Sequence, residues 1–377
     1  MESLKNYIPI LDRFMVGGLG CGLIGLCAVV VGFLLVSRNL SSRPLPTSTP
    51  LGSGGLVTGT PITTGTPAFT ATASETPTGT IISTLSPTLA TTEAGTSPPV
   101  GIPSPLPASW GNTPPTGKIV FTCFIALIDQ ICSMNGDGTG RRQITNYDAT
   151  TFYPSLSPDG QTVYFSSKRT GTFEIYSVDL NGKNRDRLTD KIGSMYAPEL
   201  SPNGRGIVFT NETGGNQRIW IMRATGNNPH AISSGPNDDI DPTWSPDGTL
   251  ISFASTRLGA RQIFIMNADG SNAHQITNLN DVGGRSSWSP DATKLAFYAG
   301  PAENRNIFVI NVDGTGLIQL TNGGDNLGPS WSPDGNWIAF TSFRDGNNEI
   351  YIMRPDGTEV TRLTNNPTSD WQPRWGR

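Results

Sequence analysis

The sequence predicts an all-β fold: a six-bladed β-propeller of four-stranded blades that the C-terminal strand closes into a ring. Turns of the type Ser-Pro-Asp-Gly recur at intervals of 44, 44, 44 and 43 residues, beginning at Ser157, Ser201, Ser245, Ser289 and Ser332. A repeat of this length is typical of propellers. The chain is also rich in turn residues, with 44 Gly and 30 Pro, and only 15% of its residues are charged.

Each repeat has the pattern of four short strands joined by three turns. In residues 241–278 the segments PTWS, LISFAS, QIFIMN and AHQIT alternate with turn-forming residues, as expected for one propeller blade. The second strand is apolar almost throughout, as in ISF at 251–253 and IAF at 338–340. Such strands are expected where both faces of a sheet are covered, which happens when blades stack.

The Ser-Pro-Asp-Gly turns have a structural explanation that does not involve catalysis. Proline presets φ at the first turn position, and glycine takes the left-handed conformation that ends the turn. We therefore expect the aspartates to shape turns. One copy carries Ala292 in place of glycine. Because left-handed backbone strains alanine by roughly 1 kcal/mol, we expect this turn to differ from the others.

The first repeat lacks its inner strand, and the end of the chain carries a surplus one. Residues 119–121 (IVF) begin the first blade without a preceding P-x-W-S-P-D-G motif, whereas residues 370–375 (DWQPRW) have no blade of their own. We expect residues 370–375 to complete the blade begun at 117. The propeller then spans 117–377, and its closure removes exposed strand edges.

Two other segments precede the propeller. Residues 15–36 contain no charged residue and are long enough to cross a hydrocarbon core of about 30 Å as a single uncleaved helix, with a short cytoplasmic tail at 1–14. Residues 37–116 are dominated by Thr, Ser, Pro and Gly, a composition that favours a disordered stalk. We therefore expect a single-pass membrane protein whose helix contacts the bilayer and whose propeller lies outside the cytoplasm.

The repeats resemble those of TolB-type propellers. The shared pattern is P-x-W-S-P-D-G, an apolar strand, S-x-R-x-G, I-[YFW]-x-M, D-G and [LI]-T, and it stands most fully at Pro329–Gly335, Ile338–Phe340, Ser342–Gly346, Ile350–Met353, Asp356–Gly357 and Leu363–Thr364. The resemblance covers about 260 residues and implies the propeller fold, but one fold serves many functions. We do not expect the α/β domain that precedes the TolB propeller, because the predicted anchor and stalk stand in its place. We also do not expect the peptidase domain of prolyl-oligopeptidase-like enzymes, since no G-x-S-x-G motif is present.

Composition excludes some classes of function. A net charge of −4 and a pI near 5.3 lack the basic footprint of a nucleic-acid-binding protein. Only two histidines are present, which argues against a His-rich metal centre, and we expect no metal site, cofactor or catalytic residue. Cys123 and Cys132 fall across the central hairpin of the first blade, where they form either a disulfide, permitted outside the cytoplasm, or two small buried side chains.

Ligands of propellers are expected at the end of the channel where the inner strands begin. The candidate rim residues there, at or just before the P-x-W motifs, are Tyr153, Tyr196, Asp239, Asp241, Arg285, Asn326, Asp370 and Trp371. Their identities differ from blade to blade, as in an asymmetric pocket or in loops free of constraint.

Three functions remain open on the sequence. The leading hypothesis is a cell-surface or periplasmic module that binds a protein, peptide or glycan without catalysis. The alternative is a metal-dependent hydrolase or lactonase that uses Asp239, Asp241 and Asp370, and metal content would separate the two. A sensor ectodomain is disfavoured, because a tail of about 14 residues has no room for an output domain.

Overall fold

The computed structural model describes residues 114–377, which form six four-stranded antiparallel sheets. Blade 1 contains β1 (Lys118–Ile125), β2 (Ile128–Asn135), β3 (Arg142–Gln143) and β24 (Asp370–Gly376). Blade 2 contains β4 (Thr151–Leu156), β5 (Thr162–Ser167), β6 (Glu174–Asp179) and β7 (Asp186–Arg187). Blade 3 contains β8 (Ser194–Leu200), β9 (Gly206–Thr213), β10 (Asn216–Arg223) and β11 (His230–Ala231).

The remaining blades repeat this arrangement. Blade 4 contains β12 (Asp239–Trp244), β13 (Leu250–Ser255), β14 (Gln262–Asn267) and β15 (His274–Gln275). Blade 5 contains β16 (Ser287–Trp288), β17 (Lys294–Ala299), β18 (Asn306–Asn311) and β19 (Ile318–Gln319). Blade 6 contains β20 (Asn326–Trp331), β21 (Ile338–Ser342), β22 (Glu349–Met353) and β23 (Thr361–Arg362). The six inner strands, β24, β4, β8, β12, β16 and β20, contact one another in a closed ring.

Ring closure follows the sequence prediction. β24 pairs with β1 in antiparallel register from Lys118↔Gly376 to Cys123↔Asp370, so the last strand of the chain supplies the inner strand of the first blade. Trp375 secures this junction, because its indole nitrogen donates to the Thr116 carbonyl at 2.7 Å and its amide to Ser330 Oγ at 2.9 Å. The ring is therefore joined by backbone pairing and by contacts on both sides of the seam.

The core lies between the blades. Each of six hydrophobic clusters joins two neighbouring blades, and the cluster at the seam combines Phe121 and Trp375 of blade 1 with Trp337 and Ile350 of blade 6. The second strands are buried on both faces, as the continuous apolar pattern predicts. Burial between stacked blades therefore explains the composition of these strands.

The Ser-Pro-Asp-Gly turns are closed by their own side chains, as expected. In blade 2 the Gly160 amide donates to the Ser157 carbonyl at 2.8 Å, while the Ser157 hydroxyl donates to Asp159 Oδ1 at 2.5 Å. This bond from Ser157 is the main cause that lowers the pKa of Asp159. These aspartates are therefore turn-forming residues.

The expectation that the turn at Ala292 differs was wrong. Ala292 takes a left-handed φ of 58°, and its amide donates to the Ser289 carbonyl at 2.9 Å, which is the geometry of the glycine turns. The Ser289 hydroxyl also donates to Asp291 Oδ1 at 2.5 Å, as its counterparts do. The bonds of the turn hold alanine in a strained conformation, so the repeat geometry outweighs the local preference.

The predicted membrane helix at 15–36 lies outside the described residues, as does all of the predicted stalk at 37–116 except residues 114–116. Within 114–377, no helix has the length and apolar character needed to cross a membrane.

Candidate functional site at the channel mouth

All inner strands begin at the same end of the central channel, which we call the mouth. In five of the six blades the residue just before the inner-strand proline has a left-handed φ of 51° to 57°, at Tyr153, Ala197, Asp241, Gly328 and Gln372. The strand register shifts there in each case, which marks a β-bulge. Bulges re-aim side chains next to functional sites, and left-handed residues other than glycine store strain there.

The bulged residues are held by hydrogen bonds to neighbouring blades. The Asp241 amide donates to Thr210 Oγ1 of blade 3 at 2.8 Å, and the Gln372 amide donates to Thr341 Oγ1 of blade 6 at 3.0 Å. The Tyr153 amide donates to Gln372 Oε1 at 3.1 Å. The backbone of the mouth is thus fixed from blade to blade.

A charged cluster spans the channel. Arg374 of blade 1 donates through Nη2 to Glu199 of blade 3, and through Nη1 to the Ser286 carbonyl of blade 5 at 3.2 Å. Glu199 accepts a second bond from the Trp244 amide at 3.0 Å. In later blades the equivalent tryptophan amides donate instead to serine hydroxyls, from Trp331 to Ser287 and from Trp375 to Ser330. Glu199 therefore makes a contact common to several blades and also places a charge in the channel.

Arg285 is the second guanidinium of this cluster. Its Nη1 donates across the channel to the Pro154 carbonyl at 3.2 Å, whereas its Nη2 stays 3.6 Å from Glu199 Oε2. The side chain is buried, with 6% of the residue exposed, and neither Nε nor Nη2 has a hydrogen-bond partner among the described residues. Burial, with the charge of Arg374 beside it, lowers the pKa of Arg285 to about 9. A buried donor left unpaired costs ~1–3 kcal/mol.

Asp241 lies near Arg285 and is also buried. Burial raises the pKa of its carboxyl, opposed by the charges of Arg285, Arg261 and Arg374. No hydrogen bond to the carboxylate of Asp241 is found among the described residues. The carboxylate packs against Gly284, where a Cβ would stand 2.0 Å from Asp241 Oδ2, so a larger residue there would displace this carboxylate.

Aromatic side chains adjoin the cluster on blades 2 and 3. The ring of Phe152 is 4.9 Å from that of Tyr153 and 4.8 Å from that of Phe173, and the rings of Phe173 and Tyr196 are 5.2 Å apart. All four side chains are partly exposed. Burial, with the charge of Asp241 nearby, raises the pKa of the Tyr153 hydroxyl well above its ordinary value. This part of the mouth is a partly exposed apolar surface.

Three large apolar side chains are exposed at the same end of the ring. Because each second strand runs antiparallel to the inner strand, the loops that join second to third strands lie at the mouth. Leu127 (86% exposed), Leu258 (72%) and Phe343 (42%) occupy these loops in blades 1, 4 and 6. Leu127 and Ala126 form the tip of the β1–β2 hairpin, with φ of 68° and 50°. Two left-handed residues other than glycine make this a strained turn.

Asp239, Asn326 and Asp370, three of the predicted rim residues, are buried within their own blades. Asp239 accepts from Arg257 Nη2 at 2.9 Å and from Ser255 Oγ at 2.6 Å. Asn326 accepts from Arg344, and Asp370 accepts bidentately from Arg141 at 2.9 and 3.2 Å. Burial raises the pKa of Asp370 to about 6, although Arg141 opposes this shift. The structure holds these three residues in the framework.

Trp371 lies in inner strand β24 of blade 1, where its indole donates to Asp129 of β2. Burial raises the pKa of Asp129 to about 6, and the bond from Trp371 opposes this shift. The structure therefore places Tyr153, Asp241 and Arg285 in one channel cluster, with Tyr196 in the aromatic group beside it.

The same blade carries a disulfide. Cys123 and Cys132 are joined by it, and both are fully buried. Within 114–377, no group of three or more His, Cys, Asp or Glu side chains is placed to hold a metal ion.

Glu199 and Arg374 are site residues that the sequence reasoning missed. Both follow the inner-strand proline, at a position where Ser155, Thr243 and Ser330 stand in other blades. A charged residue at a hydroxyl position of the repeat was the signal that could have found them.

The comparisons with known proteins agree with this architecture. The family described as the TolB beta propeller domain matches residues 129–287 and 276–377, which is more than half of the chain. The chain belongs to the TolB β-propeller domain family.

Solved structures show the same fold. TolB from Acinetobacter baumannii is 22% identical, with a TM-score of 0.62 over 69% of this chain and 66% of that one. A putative TolB from Agrobacterium tumefaciens is 19% identical, with a TM-score of 0.54 over 67% and 89%. An uncharacterized protein of Agrobacterium fabrum is 35% identical over 74 residues, 19% of this chain and 25% of that protein. The matched region thus spans a quarter of the curated relative and 66% of the A. baumannii protein.

Proposed function

We propose that this protein is anchored in a membrane by residues 15–36, presents its TolB-like propeller outside the cytoplasm, and binds a protein or peptide at the mouth without catalysis. The observation that carries the binding function is the exposure of Leu127, Leu258 and Phe343 at one end of the ring, together with the partly exposed aromatic cluster. The exposed apolar side chains at this end of the ring, beside the aromatic cluster, support an interaction surface there.

Backbone strain supports the same face. The Ala126–Leu127 turn holds an apolar side chain out into solvent in a conformation that Asn-Gly would adopt without strain. Strained residues of this kind cluster at active sites and ligand clamps. The buried Cys123–Cys132 disulfide supports a location outside the cytoplasm, where disulfides persist.

The binding function is tested by capturing partners from envelope extract with the full-length chain. The variant Leu127→Asp places a charge at the mouth, and Leu317→Asp places the same charge on the exposed edge next to outer strand β19. We expect a partner that the wild type and Leu317→Asp capture equally and that Leu127→Asp loses at least tenfold. Equal capture by all three proteins would contradict the mouth as the binding face.

The location is tested separately by fusing alkaline phosphatase after Arg377. Because this reporter needs its disulfides to be active, activity in intact cells is expected only if the propeller lies outside the cytoplasm. An inactive fusion of normal abundance would contradict the proposed orientation.

A further inference from the structure

We propose that the mouth holds a carboxylate of its ligand on the Nε–Nη2 edge of Arg285, and that this carboxylate is borne by a peptide next to an apolar side chain. The inference rests on the proposed function, because it names the chemical group that the binding face recognises. It follows from the unpaired edge of a buried guanidinium in the channel.

In two other arginines of this propeller, the Nε–Nη2 edge binds a carboxylate. Arg305 uses Nε and Nη2 to donate to the two carboxylate oxygens of Asp325 at 2.7 and 2.6 Å. Arg141 uses the same two atoms on Asp370 at 3.2 and 2.9 Å. In Arg285 neither atom of the equivalent edge has an acceptor within hydrogen-bond distance, although both atoms are buried and Glu199 Oε2 lies 3.6 Å from Nη2. The fork of Arg is built for bidentate carboxylates.

The orientation of Arg285 is already fixed. Its remaining nitrogen, Nη1, donates to the Pro154 carbonyl on the far side of the channel at 3.2 Å. A ligand therefore meets a guanidinium that does not have to be ordered on binding, and this reduces the entropic cost of association.

The acidic side chains near Arg285 do not supply a hydrogen-bonded carboxylate for its Nε–Nη2 edge. Glu199 bonds to Arg374 and to the Trp244 amide, and its Oε2 remains 3.6 Å from Arg285 Nη2. Two guanidiniums thus share one hydrogen-bonded carboxylate. Asp241 is the other acid in reach, and burial raises its pKa, which weakens it as a counter-charge.

The neighbours of Arg285 define the rest of the ligand. Tyr153 interacts with Arg285, packs on Phe152 at 4.9 Å, and is partly exposed with no hydrogen bond from its hydroxyl among the described residues. The ligand is inferred to reach Arg285 from the side on which Tyr153 lies. A ligand entering this way contacts the aromatic cluster first, so its carboxylate is expected beside an aromatic or aliphatic group.

Titration calorimetry on the full-length chain tests this inference with matched probes. N-acetyl-phenylalanine carries a terminal carboxylate, the α-amide of N-acetyl-phenylalanyl-aspartic acid carries one on a side chain, and N-acetyl-phenylalaninamide carries none. We expect at least one of the acids to bind tenfold or more tightly than the amide, and the better acid identifies the source of the group. Equal binding by all three probes, or no binding by any, would overturn the inference.

Variants assign the effect to Arg285. Arg285→Met is expected to abolish the preference for acid, and Arg285→Lys, which keeps the charge but lacks the fork, to reduce it severalfold; Arg205→Met, an exposed arginine, leaves it unchanged. Asp241→Asn removes a negative charge and is expected to tighten acid binding. Weaker acid binding by Asp241→Asn, or full selectivity in folded Arg285→Lys, would contradict carboxylate recognition.

The inference fails separately from the proposed function. If partner capture still depends on Leu127 but is unaffected by Arg285→Lys, then the mouth binds its partner and the carboxylate inference alone is wrong.

Discussion

Arg374 of blade 1 and Glu199 of blade 3 are 175 residues apart in sequence and form a direct ion pair across the channel. Both are largely buried, and Arg285 lies 3.6 Å from the same carboxylate. One acid thus compensates two guanidiniums from two other blades. The channel centre is consequently an element of stability as well as of the candidate site.

Removing the charge of Glu199 should therefore destabilise the ring. We expect Glu199→Gln to lower the free energy of unfolding by about 3 kcal/mol, because breaking a buried pair leaves charge uncompensated. Urea denaturation at pH 7 measures this. The control is Glu359→Gln, whose exposed pair with Arg354 should contribute less than about 1 kcal/mol. Similar losses in the two variants would show that the channel pair is no stronger than a surface pair.

Ala292→Gly should stabilise the protein. Ala292 has a φ of 58° in a turn where Gly160, Gly204, Gly248 and Gly335 take the same conformation in other blades. Removing the Cβ relieves left-handed strain, and we expect a gain of about 1 kcal/mol in the free energy of unfolding. The urea midpoint should rise without a change in slope. A lower midpoint would show that the alanine methyl contributes packing that exceeds its strain.

Relieving the strain at the β1–β2 hairpin tip should increase stability and decrease partner binding. Replacing Ala126 by Asn and Leu127 by Gly gives the residues that a type I′ turn prefers, so we expect a gain of about 1–2 kcal/mol in stability. The same change removes an exposed leucine from the mouth, so partner capture should fall. Ala292→Gly is the matched control, since it should stabilise the fold without affecting capture. Undiminished capture by the double variant would exclude the hairpin tip from the interface.

Asp129 should make stability fall as pH rises. Burial raises the pKa of Asp129 in the folded protein from 3.8 to about 6, so between these values the folded state binds more protons than the unfolded state. The resulting decrease in the free energy of unfolding is complete above pH 6. It amounts to about 2–3 kcal/mol, because the pKa differs by about two between the folded and unfolded states.

The matched variant for this effect is Asp129→Asn, which stays neutral and still offers an oxygen to Trp371. We expect its urea midpoint to fall less than that of the wild type between pH 4 and pH 7. Parallel pH profiles for the two proteins would contradict a raised pKa at Asp129.

The blade architecture could be predicted from the sequence because it repeats. The spacing of the Ser-Pro-Asp-Gly turns, the apolar second strands and the surplus inner strand at 370–375 each have a local cause, and the structure confirms all three. Strand pairing across the seam followed from counting strands, since each blade needs four.

The channel could not be predicted in the same way. The left-handed residues before proline run against the usual restriction on that position, which favours extended backbone. Contacts such as that from Arg285 to the Pro154 carbonyl join blades 131 residues apart and depend on where side chains project into a shared space. Repeats specify what blades have in common, whereas the channel cluster is built from the residues in which they differ.

The pairing of β24 with β1 also has a consequence for biosynthesis. The partner strand of β1, Asp370–Gly376, is synthesised last in the propeller. During translation, blades 2–6 can therefore emerge and stack while one edge of β1 is still unpaired. An unpaired edge is where strands from different chains associate. The interval between synthesis of β1 and of β24 is therefore when the nascent chain is most exposed to misassembly, and it ends only when the final strand leaves the ribosome.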